Sequence, residues 1–478
     1  MNDAAPASLY EAHRKIYARA VKGRYARLRY AAVLALLGAY YLLPWISIGG
    51  HPAVHFDLPA RRFHILGMTF VPQDLIYLTW LLMISALGLF FVTNIAGRVW
   101  CGYACPQTVW TEAFMWMERW TEGDRSQRIK LDRMPWTAPQ RLLRKGAKQL
   151  LWIGFAALTG LTFVSYFTPI RELLRSLFAG TLGGWETFWI AFYGLATYGN
   201  AGYMREQVCK YMCPYARFQS AMFDRDTLIV SYDTARGEPR KSVVKKLMQQ
   251  RAPTAAAILS GERSVDEIDH PPLRAGDCVD CSLCVQVCPT GIDIRNGLQY
   301  ECIACAACID ACDSVMAHVQ SPRGLIRYTT LRELEGGRTH LLRPRAIGYG
   351  LLFLALVSAF PIGLALRQPF AVNVIKDRNA LYRYVGDRIE NAYQVKITNK
   401  SDQPQDFTVR VSGLGDARTI PAPARVHAGP GELVTLPLEV QVSPEALQPG
   451  VNGLHFAIEG DQHPGRVIDV PARFTAPR

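Results

Sequence analysis

Apolar residues along this chain follow two rhythms. Five unbroken apolar stretches run roughly over 29–48, 75–96, 150–169, 186–204 and 346–367. Each is long enough for a helix crossing a hydrocarbon core, which takes about 20 residues. The first is too long for a cleaved leader, and no small-residue cleavage site follows Pro44-Trp45, so it reads as an uncleaved anchor. Beyond residue 368 the pattern changes to alternation. Ala392–Ile397 and Phe407–Val411 flank the turn-forming run Asn399-Lys400-Ser401-Asp402, and Leu433–Val442, Leu454–Ile458 and Val467–Phe474 follow, punctuated by Pro and Gly. That spacing predicts an antiparallel β-sandwich of immunoglobulin type. The sandwich has no cysteine and no catalytic constellation, so an interaction or assembly role suits it best.

Charge orients the spans. The formal net charge is +13, which spread evenly would suggest nucleic acid. It is concentrated instead beside apolar segments, so nucleic-acid binding is not expected. Arg14, Lys15, Arg19, Lys22, Arg24, Arg27 and Arg29 precede or open the first span, and nine Lys and Arg from Arg119 to Lys148 separate the second from the third. The opposite loops carry only Arg61 and Arg62, then Arg171 and Arg175. With basic loops inside, the expected plan is a basic cytoplasmic N-terminus (1–28), a four-helix membrane domain (29–224), a cytoplasmic linker and cysteine-rich module (225–345), a fifth transmembrane helix (346–367) and a periplasmic β domain (368–478). Within the linker, 233–277 reads as partly helical and carries no site.

The twelve cysteines fall into four tight groups with none outside them. A disulfide framework would scatter them through a small secreted domain; close gaps mean metal ligands in a reducing compartment. Asp277–Thr290 reads DCVDCSLCVQVCPT, a C-x2-C-x2-C-x3-C-P run, and Glu301–Val315 repeats the spacing with Asp313 where Pro is usual. In two-cluster ferredoxins the fourth cysteine of each run ligates the other cluster. Applied here, Cys278, Cys281, Cys284 and Cys312 hold one [4Fe–4S] cluster, and Cys302, Cys305, Cys308 and Cys288 hold the second. Structural zinc uses two pairs separated by a longer stretch and leaves the remaining cysteines without purpose.

The other four cysteines form two C-x3-C-P motifs, Cys101/Cys105 before Pro106 and Cys209/Cys213 before Pro214, each at the cytoplasmic end of a span. If helical, i and i+4 thiols share one face, and the proline would end or kink that helix. One such pair alone would read as buried packing thiols. Two, repeated in equivalent hairpins, read as converging ligands, and soft thiolates select Cu(I) over hard ions. Met115 and Met212 read as core filler rather than thioether ligands, and His51, His55 and His64 as solvated loop histidines rather than a metal-capture site.

Together these motifs resemble the accessory proteins of cbb-type cytochrome c oxidase, the CcoG/FixG family. The likeness covers Lys22-Gly23-Arg24, both C-x3-C-P motifs, Val230-Ser231-Tyr232-Asp233, the paired cysteine runs with Cys312-Asp313, and the β tail. The resemblance implies a multi-pass protein of the bacterial inner membrane, with N-terminus cytoplasmic and C-terminus periplasmic. It would reduce Cu(II) to Cu(I) for oxidase assembly, with copper bound at Cys101, Cys105, Cys209 and Cys213 as catalytic thiols. Its partners would be the lipid bilayer, an unidentified electron donor, and a copper chaperone or oxidase assembly factors. The runner-up is a quinol-oxidising electron-transfer subunit similar to the membrane ferredoxin partners of nitrate reductases, and a third possibility is a non-catalytic scaffold or redox sensor.

Overall fold

The computed structural model describes residues 15–242, 275–377, 380–401, 403–462 and 465–477; the helical linker expected within 233–277 lies mostly outside them. The chain forms two compact units, one from Met1–Leu42, Ile84–Val164 and Ser176–Leu354, the other from Leu43–Met83, Ser165–Arg175 and Ala355–Arg478.

Among the described residues four helical segments are long and apolar enough to cross a membrane: Arg24–Trp45, Pro72–Ala96, Pro139–Val164 and Pro344–Ala365. In the most apolar windows of the second and fourth no residue is buried by protein, as expected of side chains solvated by lipid. Their helices are α1 (Arg24–Leu42), α2 (Leu75–Ala96), α6 (Pro139–Val164) and α12 (Pro344–Ala365). Between α2 and α6 lie α3 (Val99–Tyr103), α4 (Pro106–Glu122) and α5 (Arg125–Arg133). The third apolar stretch differs from expectation. Its helix starts at Pro139, a favourable first position, and ends ahead of Thr168-Pro169, where a following proline disfavours helix.

After the short helix α7 (Ile170–Ala179), the stretch expected to span 186–204 is broken in two. α8 (Gly184–Thr197) passes into a π-helical segment, Tyr198–Met204, through Gly199, Asn200 and Gly202. At 1.5 Å per residue α8 alone is about 21 Å long, short of the ~30 Å of a hydrocarbon core. It packs backbone to backbone on α6: a Cβ at Gly160 would collide with the Ile190 carbonyl oxygen, so glycine sets the approach.

Within the same unit, Ile229–Tyr232 pairs antiparallel with Ile326–Thr329. This small sheet packs with α10 (Leu283–Gln286) and α11 (Ala307–His318), burying Val230, Ile294, Ile309, Met316, Leu325 and Ile326. α9 (Pro214–Met222) follows the second cysteine pair.

The second unit holds the β domain. One sheet runs in the order Arg418–Ile420, Leu433–Val442, Arg388–Asn399, Phe370–Lys376, with Arg383–Val385 also pairing Arg388–Asn399; the other runs Arg425–Ala428, Gln405–Ser412, Val451–Gly460, Val467–Thr475. Phe370, Tyr393, Phe407, Phe456 and Phe474 fill the space between them. All five expected strands are present. The Asn399 turn passes the chain from one sheet to the other, as sandwich connections do.

Candidate metal centre

The two cysteine runs adopt the same local backbone. Asp280 and Ser282 in the first, and Ala304 and Ala306 in the second, have φ of +56°, +58°, +52° and +58°. Left-handed conformations are unfavourable for residues with a Cβ and persist where surroundings impose them. Here they flank the second cysteine of each run and curl the loop so that three thiols turn inward. One cavity is lined by Cys278, Cys281, Cys284 and Cys312, with Arg295 beside them. A second is lined by Cys288, Cys302, Cys305 and Cys308, with Cys284 also in its wall. Cys308 and Cys312, one turn apart on α11, therefore line different cavities. Four thiols around each cavity supply the donor set of a [4Fe–4S] cluster, so the residues present fit two such groups.

Asp313 has a local reason. It lies inside α11, where proline would remove a helical hydrogen bond, whereas Pro289 follows the end of α10. The Asp313 carboxylate accepts from the Gly324 N–H at 2.9 Å.

Three groups distant in sequence hold the second loop in place. Asp310 of α11 accepts from the Tyr25 and Ala26 N–H groups at 3.2 and 2.7 Å, capping α1. A Cβ at Gly23 would strike that carboxylate, so Gly23 is required there. The buried Arg29 donates to the Cys305 carbonyl at 3.1 Å. The buried Arg98 donates to the Tyr300 carbonyl, and to that of Ala216 at 2.5 Å. None of these was foreseen from the sequence, although an arginine within an apolar span is a signal in itself.

The turn that carries Cys101 lies against this loop. Gly102 packs under it so closely that a Cβ would lie 2.8 Å from the Ile303 oxygen and 3.0 Å from Cys305 Cα. Cys101 Sγ is 3.6 Å from Gln219 Oε1 of α9. The expected helical i, i+4 arrangement is corrected: Cys105 and Cys213 are extended residues preceding α4 and α9, and each proline begins the next helix. Cys209 lies in the π-helical turn Val208–Met212. Burial pushes the Cys101 thiol up to about 12 and Cys209 to about 11, with the charges of Cys105 and of each other's pair adding to it. The two pairs thus sense one another, and a bound cation would offset the cost of thiolate in this setting. Among the described residues no three His, Cys, Asp or Glu side chains already form a closed site for a single ion.

Met115 is buried and Met212 exposed. The histidine loop departs from expectation in another way. His55 and His64 are buried, cross-strand neighbours, and His51 stacks on His64 with centroids 4.0 Å apart. The rings lie parallel instead of converging their nitrogens.

Three family models match: "4Fe-4S binding domain" over residues 78–123, "4Fe-4S dicluster domain" over 204–331, and a model described as an IG-like fold at the C-terminus of FixG over 360–477. The nitrogen fixation protein FixG of Rhizobium meliloti is 37% identical over 469 residues, covering 90% of this chain and 85% of its own. Protein RdxB of Cereibacter sphaeroides is 37% identical over 451 residues, covering 91% and 88%. A crystal structure of a FixG-related protein from Vibrio parahaemolyticus, 31% identical, aligns with 23% of this chain and 97% of its own at a TM-score of 0.21. With apolar helices, 4Fe–4S domains and a C-terminal Ig-like region, this membrane iron–sulfur protein of the redox class belongs to the FixG-type family.

Proposed function

We propose that the protein reduces Cu(II) to Cu(I) at Cys101, Cys105, Cys209 and Cys213, with electrons drawn from two [4Fe–4S] clusters, in support of cbb-type oxidase assembly. The ligand sets are Cys278, Cys281, Cys284, Cys312 and Cys302, Cys305, Cys308, Cys288. The observation that carries this is the seat of Gly102 against Ile303–Cys305, which brings the Cys101 turn onto the loop of the second ligand set. Bound there, the clusters supply one-electron storage and transfer.

The chain's own residues do the rest. The four thiols bind the cupric ion and shed protons as they do so, since coordinating thiols deprotonate. Soft sulfur donors favour the cuprous product, so one electron reduces one copper ion. Gln219 orients Cys101, and the breaks at Pro106 and Pro214 leave the pairs on separate elements that part as Cu(I) passes to a thiol or protein acceptor. The β domain would dock assembly factors on the periplasmic side of the inner membrane.

Replacing all four thiols with Ala should abolish high-affinity copper binding and multiple-turnover cupric reduction, while anaerobic iron analysis still finds both clusters. Wild-type copper affinity and rate in that variant would overturn the copper assignment. A second reading draws on the 4Fe-4S binding domain match across Cys101 and Cys105: an iron–sulfur subunit that oxidises quinol without copper. Turnover with quinol surviving loss of the four thiols would favour it.

A further inference from the structure

A cavity of ≈ 280 Å³ lies between α1, α4, α6, the π-helical segment Tyr198–Met204 and the second cysteine loop. It borders one cluster ligand and one copper thiol, Cys305 and Cys209, with Ile303 beside them, but most of its wall belongs to neither ligand set. Tyr203 and Met115 give it apolar surface, Trp152 closes it behind Lys148, and Gln107, Thr108 and Thr111 bring polar groups. Its basic residues Lys15, Arg29, Lys148 and Arg205 outnumber Glu112, Glu118 and Glu206. Lys148 lies over the Trp152 ring at 4.6 Å and is paired with Glu122 at 2.9 Å.

This lining does not suit a divalent cation. A surplus of fixed positive charge repels it, and most of the carboxylates are already engaged: Glu118 with Arg128 and Arg205, Glu112 with Arg119. It does suit a flat, uncharged ring with hydroxyl groups at its edge, because the Tyr203 ring and the Met115 thioether offer apolar contact and Gln107, Thr108 and Thr111 offer hydrogen-bond partners. Trp152 sits in α6, a candidate membrane span, and Tyr203 closes the apolar 184–204 stretch, so part of the wall comes from segments that a lipid-borne molecule would meet.

We infer that this cavity binds a hydroquinone, the electron donor of the protein. The inference rests on the cluster ligands proposed above. One hydroquinone gives two electrons, one to each oxidised cluster, beginning through the Cys305 side. Its two O–H bonds break, its two protons pass to solvent, and quinone departs. The balance closes at two electrons and two protons per donor, and two Cu(II) ions would later discharge the two clusters.

Full-length protein purified without air in detergent is tested with decylubiquinol and decylubiquinone as probes. Decylubiquinol should bleach the cluster absorbance of wild type, and decylubiquinone should bind in equilibrium titration. Thr111→Phe, which fills the cavity from α4, should lose both, while dithionite still bleaches its clusters. Thr111→Val keeps the volume and removes one hydroxyl, and should weaken binding about tenfold, the loss of roughly one hydrogen bond. If Thr111→Phe fails to assemble, Thr111→Val decides. Dithionite-reducible clusters that ignore decylubiquinol, or unchanged affinity in the variants, overturn the donor site and leave the cluster ligands standing. A protein without clusters overturns the underlying ligand assignment.

Discussion

Arg29 and Arg98 show how single residues set the chemistry of the second cluster site. Both are buried, neither is in an ion pair among the described residues, and each donates to backbone of the Tyr300–Cys305 loop. The first cavity also has an arginine, Arg295, but its charge is answered by Asp280 and by Asp293 at 2.7 Å. The second site is thus the more positive, and positive charge near a cluster stabilises the reduced form. Arg29→Gln should lower the midpoint potential of one cluster by ~40 mV, the one-electron equivalent of about 1 kcal/mol, and leave the other unmoved in a titration followed by electron paramagnetic resonance. Equal shifts in both clusters, or none, would show that the arginine only braces the fold. The cysteines themselves were legible because ligand spacing is a local property of sequence. Gly23 and Asp310 were not, since their contact joins residues 287 positions apart, and nothing near either one announces the other.

Elements were legible where their signal was long and regular. The four apolar helices follow from apolar runs of about 20 residues, and the five core strands from alternation over five to ten. Phe370–Lys376, Arg418–Ile420 and Arg425–Ala428 were missed: the last two are short, and all three lie at sheet edges, where pairing by the neighbour decides. The C-x3-C-P motifs were read as helix with a terminal proline because proline stops helices. Here it starts them, and the turn before it belongs to cysteine. The same logic makes Asp313 a test of α11. Asp313→Pro would place proline in the interior of a 12-residue helix at a cost of about 3 kcal/mol. It should release Cys312 from its cavity, so that the purified variant loses about half its iron. The mirror change Pro289→Asp falls outside α10 and should retain nearly all of it. Equal iron in the two variants would mean that α11 does not position Cys312.

At the scale of the whole molecule, the question is how many times the chain crosses the membrane, because parity fixes where the β domain lies. Counting only helices that are long and apolar enough gives four among the described residues, which would leave both termini on one side. Counting α8 with its π-helical extension gives five. The thiols argue for the larger number. Cys101 and Cys105 follow α2, Cys209 and Cys213 follow the 184–204 segment, and the same cysteine loop meets both: Gly102 packs on Ile303–Cys305, and Cys209 shares a cavity wall with Ile303 and Cys305. If α6 crosses after the first pair, the chain must cross again before the second, and α8 with Tyr198–Met204 is the stretch available. Its π-helical geometry, wider than α and tied to Gly199 and Gly202, explains why hydropathy over a uniform helix undercounts it; such insertions gather at functional sites. On that count α12 would carry the chain to the opposite side. Reporter fusions after residue 340 and after the C-terminus should therefore report opposite compartments, the first cytoplasmic and the second periplasmic. A further fusion within 179–184, between α7 and α8, should report the periplasm. Cytoplasmic signal from that point would mean that neither α6 nor α8 crosses, and periplasmic signal there with cytoplasmic signal at the C-terminus would remove α12 from the count instead.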